Sequence, residues 1–444
     1  MMKTNTGFAH FVLRSSLLPV SEYFKFIDHD GSPLSKIRLI SKSPAFMEAV
    51  YVASPELYAS VKKMSESTQV AEDKKSNKIF TSILKYLTRA TFRATPFGLF
   101  AGCTLGNFKY ESNETTFQRT DKTGRSVKLD MEFLSNLIME IEQSNDIKTS
   151  LNYFANNSWF KKGANVRFLE YIIINKRKFF NVSQVQYNRY LKKILALSAK
   201  GASFLSLIKY LMQSGFDESE SEQFILELIS CKLLISDIGL DITTDMNFCK
   251  LLNTLEQKKY DRTKLDYLNK IQLNLEVLNA SLIGENFECY ENINNEITNL
   301  NLTFTSTNVF HVDLKIKNEI AELPALLSSD IDEAVDILYS LVGKNRSHFL
   351  EDFKQKFKDK FQNKRVPLLE ALDPEMGINV GAFNTQPAEA LIDQFLIKEK
   401  KVSSKVTLTQ TTLKLLNKVL GSQKGKKHIE LLPDDFQSPE EPYG

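Results

Sequence analysis

The sequence predicts an α+β chain of several domains, with mixed sheets, packed helices and an embedded winged-helix-like unit. Three observations carry that prediction. The chain has 444 residues, 42% of them hydrophobic and 11% aromatic, enough for roughly two to four domains. Over 72–93, Ile79, Phe80, Ile83, Leu84 and Leu87 recur at helical spacing. Over 166–174 and 178–182 the pattern changes to a β-hairpin about Asn175-Lys176-Arg177, followed by three helical segments.

Taken in order, Phe11-Val12-Leu13 forms an apolar strand ahead of Arg14, and a helix starts near Pro44, where the missing N–H costs nothing. The helix over 72–93 carries Tyr86, Arg89 and Arg93 on a face beside its apolar stripe. Pro96 pushes Thr95 out of the helical region and ends it. Gly98, Gly102 and Gly106 then permit close backbone approach. A strand over 126–129 leads into a helix with Asp130 at its N-cap. After the hairpin, helices over 188–197, 201–213 and 218–231 and a strand over 233–235 complete the winged-helix-like pattern, whose strand edge can accept a peptide by β-augmentation. Residues 246–300 read as helical, and 308–314 as a strand carrying Asp313 as a buried acid. Helices follow over 331–343 and 346–364. The last bears a stripe of Phe349, Phe353, Phe357 and Phe361, expected in the core, with lysines on a solvated face. The domain limits expected are 1–155, 156–240 and 241–444, the third reading as cut at its C-terminus.

Composition removes several function classes. Lysine plus arginine (57) nearly balance aspartate plus glutamate (54), leaving a net charge of +3, so a basic surface for nucleic acid has to be local. Four cysteines, Cys103, Cys231, Cys249 and Cys289, are scattered without metal-ligand spacing and suit a reducing cytoplasm. No apolar run reaches the ~18–20 residues of a membrane span. HExxH, GxSxG, GxGxxG and GxxxxGK[ST] are all missing, and the five histidines stand apart. No metal site is expected. What remains is arginines, one threonine and isolated aspartates, a set suited to binding anions and polarising carbonyls.

The densest signal is RATFRATPFGLFAGCTLG, from Arg89 to Gly106. Two arginines at i, i+4 repel by about 0.2–0.5 kcal/mol, so an acidic partner or a bound anion has to answer them. The structural alternative is a buried ion-pair network with Asp130 and Asp313.

With FVLRSSLL, KLDMEFL, HVDL and FLEDFKQKF…VPLLEALDPEMGI in order around it, this run resembles the N-terminal part of the class I lanthipeptide dehydratases. The resemblance covers nearly the whole chain but only the front of full-length members. It implies transfer of glutamate from glutamyl-tRNA to Ser and Thr side chains of a precursor peptide, with no cofactor beyond that co-substrate. The elimination domain, which removes the glutamate, is not in this sequence. The positions matching the glutamylation site are Arg14, Arg89, Arg93, Thr95, Asp130 and Asp313. The winged-helix-like unit becomes the leader-peptide recognition element, with Val166, Phe168, Glu170 and Ile172 on the pairing edge and Ile225 and Leu228 lining an anchor pocket. Partners implied are the precursor peptide and glutamyl-tRNA, then a cyclase, a separate elimination domain and a second copy of the chain. The location implied is cytoplasmic, with membrane association only through a biosynthetic complex. Three other readings stay open: an aminoacyl-tRNA-dependent peptide ligase lacking elimination, a catalytically inactive leader-binding module, and a DNA-binding regulator built on the winged helix.

Overall fold

Along β1 (His10–Ser16) exposed side chains alternate with half-buried ones, as they must where a strand packs on one face. The computed structural model describes residues 9–66, 74–109, 114–119, 123–174, 177–241, 243–244, 246–304, 308–342, 348–373, 377–378 and 410–421. They divide into two compact units, Phe8–Pro324 and Ala325–Gly444 with Met1–Gly7. The expected limits at 155 and 240 both fall inside the first unit. The observed division follows Pro324, within the segment expected to run unbroken from 241.

Helices α1 (Val20–Asp28), α2 (Pro33–Ile40), α3 (Pro44–Ala53) and α4 (Pro55–Glu66) follow β1, the last three each opening on proline. Helix α5 (Lys74–Phe92) buries Ile79, Ile83, Leu87 and Ala90. Then come β2 (Ala101–Lys109), β3 (Thr116–Arg119) and β4 (Gly124–Leu129), and the helices α6 (Met131–Gln143) and α7 (Asn145–Lys148). Strands β5 (Asn152–Ala155), β6 (Phe160–Lys162), β7 (Asn165–Ile174) and β8 (Arg177–Gln186) are followed by α8 (Arg189–Leu197), β9 (Ala202–Ser203), α9 (Phe204–Gln213), α10 (Glu218–Ser230) and β10 (Leu234–Ser236). Helix α9 starts later than periodicity suggests. Gly201 has φ +89°, and the Phe154 ring occupies the space a Cβ would need. The segment read as 246–300 resolves into α11 (Asn247–Gln257), α12 (Arg262–Ala280) and α13 (Glu288–Asn299), ahead of β11 (Phe310–Lys315) and β12 (Asn318–Pro324).

The main sheet runs β3-β12-β2-β11-β4, with β1 on the other side of β2. Strands β11 and β12 share one edge of β2: Leu314 lies opposite Gly102 and Leu323 opposite Phe108, both parallel. Strands β4 and β3 line them antiparallel in the same manner. The sheet is thus four lanes wide, two of them interrupted. Gly102 sits at the tightest crossing, where a Cβ would come 2.3 Å from the Leu314 carbonyl oxygen.

The hairpin β7–β8 pairs over ten residues with Ile174 opposite Arg177, so Arg177, expected in the turn, opens the second strand; Asn175 and Lys176 lie outside the described residues. It does not cap the small helices. Strand β6 joins it to make β6-β7-β8, while α8–α10 accompany a second sheet, β10-β5-β9. The order α8, β9, α9, α10, β10 is that of a winged helix, with β5 supplied from upstream as the third strand.

In the second unit, α14 (Leu326–Val342), α15 (His348–Phe361), α16 (Leu368–Ala371) and α17 (Gln410–Gly421) are described. The phenylalanine stripe on α15 is not core: Phe349 is exposed and Phe353, Phe357 and Phe361 are half-buried, their rings in tilted contact along the helix. The stretch read as the cut end lies outside the described residues. No described helix is long and apolar enough to cross a membrane.

Candidate functional site

All six residues expected at the site gather at one end of the main sheet. Strands β2 and β11 begin there, and β1 and β4 end there. Backbone hydrogen bonds draw the connecting chain into the same place: Leu18 N–H donates to the Ala90 carbonyl of α5, Leu17 N–H to Phe100, and Leu314 N–H to Gly98. The Thr95–Gly98 stop is therefore tied directly to β11, beside Asp313.

Arg14 is exposed on β1 opposite Cys103, which lies opposite Lys315 on β11. Residues opposite one another share a face, so Arg14, Cys103 and Lys315 form an exposed row, with Asp313 two positions back along β11 on that face. Two strand spacings and two residues put the Arg14 and Asp313 Cα atoms about 12 Å apart. That gap suits a substrate between the groups rather than an ion pair. Asp313, expected to be buried, is exposed because its neighbours Val312 and Leu314 take the core-facing positions. Its carboxylate is 3.1 Å from His311 Nε2. Asp130 caps α6 as expected: Oδ1 accepts from Glu132 N–H at 2.8 Å, and its own N–H donates to Val309.

The buried network between these aspartates and the two arginines is not formed. Arg93 N–H donates to the Arg89 carbonyl, continuing the helix, and the Arg93 side chain is exposed with no acidic partner among the described residues. Arg89 lies over the Phe97 ring, 4.3 Å from its centroid. Its Nε is buried without a hydrogen-bond partner among the described residues. A buried donor left unmade costs free energy, and Arg89 also lines a recess of about 390 Å³ with Ser82, Lys85, Tyr86 and Phe97. Thr95 is exposed.

The buried ion pair exists elsewhere. Arg125 Nε lies 3.1 Å from Glu48 Oε1, and both side chains are 0% exposed. Glu48 also accepts from Gly284 N–H at 2.6 Å and Tyr290 O–H at 2.8 Å. Arg125 donates further to Ser281 Oγ and the Glu285 carbonyl. Burial pushes the Glu48 carboxyl up, against Arg125, Gly284 and Tyr290, which pull it down. Burial next to Glu48 pushes the Tyr290 hydroxyl well above the usual range. This network clamps α3 and the α12–α13 connection to β4, whose far end carries Asp130. Sequence reading missed it, although Arg125 alternates with Val127 and Leu129 on the inward face of β4.

The expected peptide-binding residues are placed differently. Val166 and Phe168 are buried in the core, and so are Ile225 and Leu228, so none of the four lines an open pocket. Strand β7 is not an edge at its start, because Asn165–Arg167 pair with β6. Beyond that, Ser158 Oγ accepts from Leu169 N–H and Asn156 Nδ2 donates to the Leu169 carbonyl. Glu170 accepts from the Ser183 hydroxyl of β8; the Ile172 side chain lies outside the described residues. Among the described residues β6 and β8 are the two edge strands of this sheet, and β8 offers the longer one. No cluster of metal-ligating side chains occurs among the described residues.

Residues 42–441 match the family described as lantibiotic dehydratase, N terminus. The chain is 24% identical over 379 residues to the nisin biosynthesis protein NisB of Lactococcus lactis subsp. lactis, covering 85% of this chain and 37% of that protein. It is 25% identical over 354 residues to the subtilin biosynthesis protein SpaB of Bacillus subtilis, covering 79% and 33%. It thus spans about a third of the length of these relatives. The fold is similar to the tRNA-dependent lantibiotic dehydratase MibB of Microbispora sp. 107891, with TM-score 0.67 at 19% identity over 84% of this chain and 35% of that one. It is also similar to the glutamylation domain of TbtB from thiomuracin biosynthesis, solved bound to 5'-phosphodesmethylglutamycin, with TM-score 0.52 at 13% identity over 73% of this chain and 39% of that one.

Proposed function

The chain belongs to the lantibiotic dehydratase N-terminal family, and from that premise we propose that it transfers glutamate from glutamyl-tRNA to Ser and Thr hydroxyls of a precursor peptide. The observation that carries this reading is the convergence of Arg14, Arg89, Arg93, Thr95 and Asp313 at one sheet end with their charges unspent on one another.

In the reaction, a substrate hydroxyl oxygen attacks the carbonyl carbon of the aminoacyl ester. A new glutamyl ester forms on the peptide, and the terminal ribose oxygen of the tRNA leaves with the proton the hydroxyl loses. Arg89 and Arg93 hold phosphate or the glutamyl carboxylate, for which the planar guanidinium offers paired donors. Thr95 donates to the ester. Asp313, with His311 beside it, takes the hydroxyl proton and passes it on. Asp130 fixes the α6 start at the rim of the site.

The precursor's leader adds as a strand to the outer edge of β8. Leu169 spends its N–H and C=O on the side away from β8, so Val182, its register partner, turns its own toward that outer edge.

Mixing the chain with precursor peptide and glutamyl-tRNA, followed by mass spectrometry, separates the readings. A glutamyl adduct on Ser or Thr supports transfer. Leader binding with no adduct supports a binding module instead.

A further inference from the structure

Beyond Arg89 and Arg93, α5 carries more positive charge on the same face. At ~100° per residue, Lys78, Lys85, Arg89 and Arg93 fall within a sector of about 80° and extend for about 22 Å. Lys78, Lys85 and Arg93 are exposed. None of the four has an acidic partner among the described residues, although i, i+4 like charges repel.

Aromatic rings border this stripe on both sides. On one side Phe92 meets Tyr23 at 5.0 Å and Phe24 at 6.4 Å, and Phe24 and Phe92 are 52% and 49% exposed. On the other, Tyr86 and Phe97 both stack on Phe100, and Phe97 is 51% exposed beneath Arg89. Core packing accounts for none of these exposed faces.

We propose that this face of α5 is a track for the unpaired 3′ end of an RNA, with the cations on successive phosphates and Phe24, Phe92 and Phe97 as stacking platforms for bases. A basic groove flanked by rings is the combination that holds single strands without reading sequence. Four aligned cations without acidic partners would also attract an acidic peptide, but together with the exposed rings they match phosphates and bases at once. The inference rests on the glutamyl-tRNA reading and deepens it, since the track ends at Arg93 and Thr95 and delivers the 3′ end to the site.

The test is fluorescence anisotropy of the full chain with a hairpin RNA bearing a short unpaired 3′ overhang, against the same hairpin blunt-ended, over a salt series. The overhang RNA binds more tightly. Lys78→Gln/Lys85→Gln lowers the salt slope by about 1.4, at ~0.7 per single-strand phosphate contact. Phe24→Ala weakens binding about 5- to 160-fold, with the fold checked by circular dichroism. Both changes sit on exposed side chains, so the variants fold. Wild-type binding with an unchanged slope and affinity in both variants overturns the track while leaving the glutamyl-tRNA reading in place. Equal binding of blunt and overhang RNA removes the stacking platforms. Failure of the wild-type chain to bind either RNA overturns the track and the reading together.

Discussion

Replacing Glu48 by alanine removes the carboxylate that faces the Arg125 guanidinium, a side chain with 0% exposure. Arginine cannot shed its proton, so the charge of Arg125 stays in the core. Gly284 N–H and Tyr290 O–H lose their acceptor at the same time. Breaking a buried pair from one side costs about 3–5 kcal/mol, a large share of the roughly 5–15 kcal/mol that holds a domain folded. In urea, with a slope of about 1–3 kcal/mol per molar, the midpoint falls by at least about 1 M. Arg125→Met is milder, because Glu48, already pushed up by burial, can take up a proton. A carboxyl with a raised folded-state pKa gives stability that is complete below its unfolded value and lost as pH rises through the folded one. The Arg125→Met variant is therefore more stable at pH 5 than at pH 8. A midpoint unchanged by Glu48→Ala, or equal damage from both variants at every pH, would refute the reasoning.

Arg93→Ala abolishes glutamylation without moving the melting temperature, since that exposed side chain supports no other group; an unchanged rate by mass spectrometry contradicts its role. Gly102→Ala drives a Cβ into the Leu314 carbonyl and costs about 1–3 kcal/mol or more, read as a lower melting temperature together with lost transfer. Val182→Pro removes an outward N–H from β8 but no β7–β8 bond, so leader affinity falls while stability holds, measured by anisotropy of a labelled leader. Tyr290 and Tyr153 both have hydroxyls raised by burial. Stability is complete below the ordinary tyrosine value near ~10 and falls above it by about 1.4 kcal/mol per pH unit for each group. Tyr290→Phe makes that alkaline slope shallower in urea unfolding.

Local chemistry was legible where one residue determines it. Pro96 ended α5, Asp130 capped α6, and the β7–β8 hairpin was placed to within one residue of its turn. Long-range pairing was not, because it depends on which strands meet. Nothing in 166–174 says that β6 covers the start of β7, so the sequence could not show that Asn165–Arg167 are already paired. Asp313 looked buried because its strand is apolar, but register against Ser126 and Val127 decides which positions face out. The arginine pair was recognised as needing an anion, yet its aromatic border was invisible, since Tyr23 and Phe24 reach Phe92 only after α1 packs on α5. Arg125 was the readable signal left unread: an arginine on the inward face of an alternating strand requires a buried partner.

The central claim is tested most directly with glutamyl-tRNA carrying labelled glutamate, incubated with precursor peptide and the chain. Label appearing on the peptide and released by mild base, as an ester on Ser or Thr must be, is the predicted result, with none transferred by the Arg93→Ala variant. Label that resists base, as a C-terminal amide would, or no label on a peptide that is nonetheless bound, would contradict it.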